Sequence, residues 1–198
     1  MRSVYFVLFC CLLGLASCNN SSTSTSTTTT DSTKTQTPAA KEPASSNLGD
    51  AGTQKLMGVI TKYFALKDAL VATKADVASG AGMTLSAEVD SMKAYLQADT
   101  AHKTNLTTYL DTITTQCKVI RSFKDEDCER YRLAFSAISS AIYGMVKATG
   151  LKNAHIYHEY CPMAFNEKGA SWLSDESEIK NPYFGKKMME CGEVTDSL

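Results

Sequence analysis

The sequence predicts an all-α protein, a four-helix antiparallel bundle followed by an irregular C-terminal segment that wraps across it. After residue 52, apolar residues recur at spacings of three and four in four separate stretches, which is the pattern of amphipathic helices. The links between these stretches are short, which favours antiparallel neighbours. No stretch shows a convincing alternation of apolar and polar residues, so we expect no sheet of any size.

The first 17 residues have the pattern of a bacterial lipoprotein signal peptide. Arg2 precedes an apolar run over residues 4–15, which is too short to span a bilayer, since a spanning helix needs about 20 apolar residues. The run closes with Leu15-Ala16-Ser17-Cys18, which resembles the lipobox, in which the cysteine accepts a diacylglyceryl group. We therefore expect Cys18 to anchor the protein in a membrane of the bacterial cell envelope, the outer membrane being the favoured location. An ordinary secretory signal with a chance cysteine is the alternative.

Residues 18–51 are predicted to form a flexible tether. From Asn19 to about Asn47 the chain is dominated by Ser, Thr and Ala and contains no large apolar residue, so it cannot bury enough surface to offset its ordering entropy. The expected organisation is a signal peptide (1–17), the lipidated cysteine with its tether (18–51) and a helical domain (52–198). The net charge of -1 gives no electrostatic case for a nucleic-acid partner.

The first two helices are predicted over residues 53–73 and 86–98. Gly80 and Gly82 make the segment before the second helix a loop or a broken helix in this prediction. The positions expected to face the core are Leu56, Val59, Ile60, Tyr63, Leu70, Val71, Val89, Met92 and Leu96.

The third and fourth helices are predicted over residues 104–122 and from a cap at Asp125 or Asp127 to residue 149. Gly150 stands where a C-cap glycine belongs. The positions expected to face the core are Leu106, Tyr109, Leu110, Ile113, Cys117, Ile120, Tyr131, Phe135, Ile138, Ile142 and Met145.

After Gly150 the chain is punctuated by Gly, Pro and Asn, and four motifs follow in order. They are Tyr160-Cys161-Pro162-Met163-Ala164, Gly169-Ala170-Ser171-Trp172-Leu173-Ser174, Ile179-Lys180-Asn181-Pro182-Tyr183-Phe184-Gly185 and Met189-Glu190-Cys191-Gly192. Together they resemble a domain-of-unknown-function family of small exported proteins and lipoproteins, which also occurs fused to periplasmic adaptors of copper/silver efflux pumps. The resemblance covers about residues 53–195. It implies a metal context and a heavy-metal efflux adaptor as a partner, with no settled biochemical activity.

The C-terminal segment is also dense in soft donors. Thiolates and thioethers select Cu(I), and imidazole also suits copper. We expect one Cu(I) or Ag(I) ion there, in a protein associated with metal efflux or homeostasis. The expected ligands are Cys161, Met163 and Cys191, and the further candidates are His158, Met188 and Met189.

The cysteines leave alternatives open. Four remain after export and lipidation, which allows three pairings. Cys117 and Cys128 flank a short polar turn and do not belong to the family motifs, which predicts a disulfide between them. Cys161 and Cys191 are as well explained by a disulfide staple as by a metal, and the protein would then be a structural module that docks on an efflux adaptor or another envelope partner.

No enzyme is expected. The sequence has no zinc-protease histidine pair, no nucleophile elbow and no phosphate-binding glycine loop. A dyad of Cys161 and His158 is conceivable, but no third group that would orient it is evident. The sequence therefore favours a binding protein over a catalyst.

Overall fold

The structure, a computed structural model, describes residues 42–124 and 128–198. The predicted signal peptide, Cys18 and most of the predicted tether lie outside the described residues. The two predicted caps of the fourth helix, Asp125 and Asp127, also lie outside them.

Four long helices make up the bundle, and the predicted fold class is confirmed. They are α1 (Gly49–Val71), α2 (Ala75–Leu96), α3 (Thr100–Ser122) and α4 (Glu129–Thr149). Each helix packs against the next, and α4 also contacts α1. The predicted core positions are buried, apart from Val71 and Tyr109, which are half-buried. In residues 42–124 and 128–198, no helix is long and apolar enough to cross a membrane.

The second helix is longer than predicted. It begins at Ala75 and continues through Gly80 and Gly82, so the predicted break before Ser86 is wrong. A Cβ at Gly82 would lie 3.2 Å from Cγ2 of Ile120 in α3, which shows that the glycine allows a close approach of the two helices. Packing between the helices therefore outweighs the low helix propensity of glycine.

The helix ends follow capping chemistry. The side chain of Asp99 accepts a hydrogen bond from the backbone N–H of His102 at the start of α3. Gly150 adopts a φ of 61° after α4, so the predicted C-cap glycine is confirmed. Cys128 precedes α4 with a φ of 65°.

The folded part begins before the predicted boundary at residue 52. Leu48 is buried, and α1 starts at Gly49. Ser45 pairs with Lys152: the N–H of Ser45 donates to the carbonyl of Lys152 at 3.1 Å, and the N–H of Lys152 donates to the carbonyl of Ser45 at 2.9 Å. Residues 45–51 are thus part of the domain, although the sequence places them in the tether.

The C-terminal segment, residues 151–198, contains a small antiparallel sheet, and the expectation of no sheet is wrong. The strands β1 (Tyr157–Cys161), β2 (Ala170–Ser174) and β3 (Glu193–Ser197) lie in the order β2-β1-β3. β2 packs against α4. Alternation is missing from the sequence because β2 buries Trp172 and Leu173 on opposite faces. A helical turn, α5 (Ala164–Glu167), and a 3₁₀ turn (Gly185–Lys187) complete the segment.

Candidate functional site

Asn181 organises the part of the C-terminal segment that carries Cys191. It is fully buried. Its Oδ1 accepts hydrogen bonds from the backbone N–H groups of Tyr183 and Phe184, at 2.8 and 3.2 Å. Its Nδ2 donates to the carbonyl of Cys191 at 2.6 Å, and its backbone N–H donates to the carbonyl of Met189 at 2.8 Å. Asn181 thus closes a turn and fixes the positions of the Met189 and Cys191 backbones.

Arg132 ties that turn to the bundle. It is almost fully buried in α4. Its Nε donates to the carbonyl of Pro182 at 3.0 Å, and its guanidinium also donates to Oγ1 of Thr73 at 3.1 Å. Gly185 sits against the same threonine with a φ of 54°. The turn therefore has a fixed position relative to α1 and α4.

Two tyrosine hydroxyls hold the outer edge of β2. Tyr63 in α1 accepts a hydrogen bond from the N–H of Leu173 at 3.0 Å and also bonds the hydroxyl of Ser139 at 2.8 Å. Tyr183 donates to the carbonyl of Ser171 at 2.6 Å. Burial raises the pKa of both phenols, so they remain protonated at neutral pH. This edge of the sheet is closed by side chains that come from a helix and from the turn.

Cys161 and Cys191 form a thiol pair. Cys161 ends β1 and is fully buried, whereas Cys191 is half-buried. Tyr160 pairs with Glu193 across β1 and β3, which brings the backbone at Cys161 beside that at Cys191. The two thiols are close enough for Cys161 to affect the ionisation of Cys191, as does the backbone N–H of Met163. Burial, followed by the neighbouring Cys161, raises the pKa of Cys191 to about 11, while the Met163 N–H lowers it in part. The structure thus brings together two residues that lie thirty positions apart, as the metal hypothesis and the staple hypothesis both require.

The methionine side chains lie elsewhere than the thiols. Met163 and Met188 line a cleft of about 440 Å³ together with Phe165 and Phe184; we call this the methionine cleft. The backbone of Met188 contacts Cys191 through a 3.3 Å hydrogen bond from the Cys191 N–H to the Met188 carbonyl. The side chains of both methionines nevertheless line a space that neither thiol lines.

His158 faces away from the thiol pair. Successive side chains of a strand point to opposite faces, so His158 and Cys161 project from different faces of β1. The imidazole stacks on Tyr143 of α4, with ring centroids 4.0 Å apart, and its Nδ1 lies 2.6 Å from Oγ1 of Thr195. The structure therefore does not bring His158 to the thiols, and it gives no support to a Cys161–His158 dyad.

Met189 is also separate from the methionine cleft. Its side chain is 37 % exposed and does not line the cleft. Of the six predicted metal ligands, the structure joins Cys161 and Cys191 directly, places Met163 and Met188 in the neighbouring cleft, and directs His158 and Met189 away from both.

Glu159 is a polar site residue that the sequence does not indicate, since acidic side chains are usually exposed. It is fully buried in the middle of β1, directly opposite Trp172 of β2. Neither of its oxygens nor the indole nitrogen of Trp172 has hydrogen-bond geometry with any described residue. Burial raises the pKa of Glu159 to about 7; Lys67 lowers it, and so does the adjacent indole N–H in spite of its imperfect geometry.

Lys67 is the buried cation on this side of the sheet. Its exposed fraction is 2 %, and its Nζ donates to Oδ1 of Asp175 at 3.2 Å and to Oγ of Ser174 at 3.3 Å. Asp68 lies 3.1 Å away. Since two carboxylates already neutralise the ammonium group, it compensates Glu159 only in part.

The structure bears on two predictions, the disulfide between Cys117 and Cys128 and the cluster of metal ligands. Within the described ranges the structure contains no disulfide bond, so the predicted bond between Cys117 and Cys128 is not formed in it. Cys117 lies in α3 five residues before the end of that helix, and burial raises its pKa to about 12. Among the same residues, no group of three or more His, Cys, Asp or Glu side chains could hold a metal ion.

One family model matches part of the chain. Residues 59–154 match the family described as "Protein of unknown function (DUF3347)". The matched residues run from the middle of α1 to the end of the bundle and stop before β1, so the thiol pair and Asn181 lie beyond them. No curated protein and no solved structure shows significant similarity to the chain.

Proposed function

We propose that this protein is an exported bacterial lipoprotein that binds a soft monovalent ion, Cu(I) or Ag(I), at the thiol pair of Cys161 and Cys191. The observation that carries the proposal is the closeness of the two thiols: Tyr160 pairs with Glu193 across β1 and β3, which brings Cys161 beside Cys191. Thiolates are the soft donors that select Cu(I) over the hard ions that prefer oxygen. Two thiolates can hold such an ion between them in a linear arrangement.

The surroundings of the thiols suit this role. Cys161 is shielded from water, while Cys191 is half-buried, so an ion has a route to the pair. The Met163 N–H would continue to stabilise the negative charge on the Cys191 sulfur after the thiol proton is lost. Asn181 and Arg132 hold the Cys191 backbone in register with β1, which is the type of support that orients metal ligands in known sites.

The cellular context of the proposal is metal efflux or homeostasis in the envelope. Lipidation at Cys18 would anchor the domain to a membrane, where it could buffer the ion or pass it to a heavy-metal efflux adaptor. The lipobox resemblance supports the anchor, and the motif resemblance supports the efflux context.

The anchor is tested separately from the metal. Replacing Cys18 with alanine should leave the protein unlipidated and release it from the membrane fraction. Metabolic labelling with a radioactive fatty acid and fractionation of the cells would measure this. Undiminished labelling and membrane retention in the variant would contradict the lipobox interpretation.

Metal binding is tested on the full chain, purified in detergent and kept reduced. Titration with Cu(I) in competition with a chromophoric chelator should give one tightly bound ion, and Cys161→Ser or Cys191→Ser should abolish it. Cys117→Ala is the matched control because it removes a buried thiol in α3, and it should bind as the parent does. Circular dichroism would confirm that each variant folds.

The same thiol contact also suits a disulfide, which is the structural alternative. In that case the protein is a non-catalytic module whose C-terminal segment is stapled and docks on an envelope partner. Thiol counting on protein isolated from cells separates the two functions. Reduced Cys161 and Cys191 favour the metal site. If the pair is completely oxidised in cells, and if Cys161→Ser binds metal as tightly as the parent does, the metal site is overturned in favour of a structural disulfide.

A further inference from the structure

The structure separates the soft donors into two groups that the sequence cannot distinguish. Cys161 and Cys191 contact each other inside the C-terminal segment. The side chains of Met163 and Met188 line the methionine cleft, which neither cysteine lines. The two groups are nonetheless adjacent, since the backbone N–H of Cys191 donates to the carbonyl of Met188 at 3.3 Å.

The side chain of Met163 is open to solvent. Its exposed fraction is 48 %, although it follows directly on a buried strand and a proline. A thioether that packed in a core would be covered, as Met92 and Met145 are. Methionine is flexible and polarisable, and such side chains recur at adaptable binding surfaces. Met163 is therefore placed to contact something outside the domain.

The backbone beside the cleft is strained. Phe165, Asn166 and Glu167 have φ values of 54°, 57° and 65°, a run of left-handed conformations that costs about 1–2 kcal/mol per residue for side chains other than glycine. All three residues line the methionine cleft. Strain of this kind persists where the surroundings over-determine it and clusters at ligand sites, so it is a second observation that marks the cleft.

The composition of the cleft fits a soft cation. Thioether sulfurs are neutral soft donors, and the rings of Phe165 and Phe184 offer faces that attract cations. Glu129 and Glu167 line the cleft with Lys187, and Glu129 is paired with Lys187 at 3.6 Å and with Arg132 at 3.5 Å. The charges of these four groups balance, so a monovalent cation would not be repelled, and the two thioethers are the soft donors that it prefers.

We infer that the methionine cleft is a second soft-ion site, in which the thioethers of Met163 and Met188 bind Cu(I) or Ag(I) outside the thiol pair. The inference rests on the proposed function in that it takes the same ion for both sites. Because the cleft is open and its backbone touches Cys191, it is the site that an ion meets before it enters the thiol pair or after it leaves. Thioethers form no disulfide, so this site survives oxidation of the thiols.

The test uses silver(I) nitrate in chloride-free buffer and the full chain in detergent, with bound silver counted after equilibrium dialysis. The reduced parent should bind two equivalents. The Cys161→Ser/Cys191→Ser variant should keep one, held more weakly than the first. In that variant, adding Met163→Leu and Met188→Leu should raise the Kd of the remaining silver by about tenfold or more. Adding Met83→Leu instead, which removes an exposed thioether of α2, should change nothing.

The outcomes separate the two sites. If the double cysteine variant binds no silver, or if the leucine substitutions in the cleft have no more effect than Met83→Leu, the cleft is not a site and the thiol proposal stands unchanged. If silver binding survives the cysteine substitutions in full and is lost only with the two methionines, the thiol proposal fails and the cleft remains. Circular dichroism of each variant excludes loss of fold as the cause.

Discussion

Replacing Glu159 with glutamine should stabilise the protein at neutral pH and above. The carboxyl group is fully buried opposite Trp172, and both oxygens lack a partner among the described residues. A buried carboxylate without hydrogen bonds is costly, whereas the neutral acid or an amide of the same shape is much less so. Glutamine keeps the volume and removes the charge.

The sign and size follow from the pKa of Glu159, which burial raises from 4.5 to about 7. Between these values the native state holds a proton that the unfolded state has lost, so stability falls as the pH rises through this window and is constant above it. At about 1.4 kcal/mol per pKa unit, the cost above pH 7 amounts to at most about 3 kcal/mol. The Glu159→Gln variant should lack this component.

Urea unfolding of the reduced, metal-free protein at pH 5, 6, 7 and 8 measures the effect. Trp172 is the only tryptophan and lies next to the substituted group, so its fluorescence reports directly on this region. Glu193→Gln in β3 is the control, because that carboxylate is exposed, and its pH profile should run parallel to that of the parent. A difference in unfolding free energy between Glu159→Gln and the parent that stays constant from pH 5 to pH 8 would refute the reasoning.

Two further substitutions probe the turn of residues 181–185, in which Asn181 also bonds the carbonyl of Cys191. Asn181→Ala removes the acceptor for two backbone N–H groups and the donor to the Cys191 carbonyl. This variant should lower the unfolding free energy by about 2–4 kcal/mol in the same urea assay. A loss below about 1 kcal/mol would show that water replaces these bonds. Gly185→Ala places a Cβ 2.5 Å from Oγ1 of Thr73 at a φ of +54° and should destabilise by about 1–3 kcal/mol. Gly80→Ala, in a helix and with nothing within 4 Å, should instead stabilise by about 0.5–1 kcal/mol, and equal effects at the two glycines would contradict this account.

The bundle could be predicted from sequence because helix periodicity is a local signal. The apolar stripe of α4, for example Phe135 and Ile142, is buried as its spacing predicts. The passage of α2 through Gly82 could not be predicted, since it depends on contact with Ile120, thirty-eight positions away. Local propensity gives way to tertiary packing at that point.

The small sheet and the arrangement of the thiol pair could not be predicted from the sequence. A strand that buries Glu159 between His158 and Tyr160 shows no apolar alternation, and the period of two is the main sequence signal for a strand. The motifs did point to Cys161 and Cys191. Their contact, however, depends on hydrogen bonds such as the one from Arg132 to Pro182, fifty positions apart, and no local pattern encodes such a bond.

Secondary structure explains why the chain holds two kinds of cysteine. Cys117 lies inside α3, where backbone N–H groups are used by the helix and the thiol meets only packed side chains; burial raises its pKa to about 12. Cys191 lies outside helices and strands, where the N–H of Met163 lowers the pKa of its thiol in part. A thiolate is therefore more strongly disfavoured at Cys117 than at Cys191. The proposed soft-ion site requires a thiolate, so the segment that wraps the bundle suits that proposal better than the core of the bundle does.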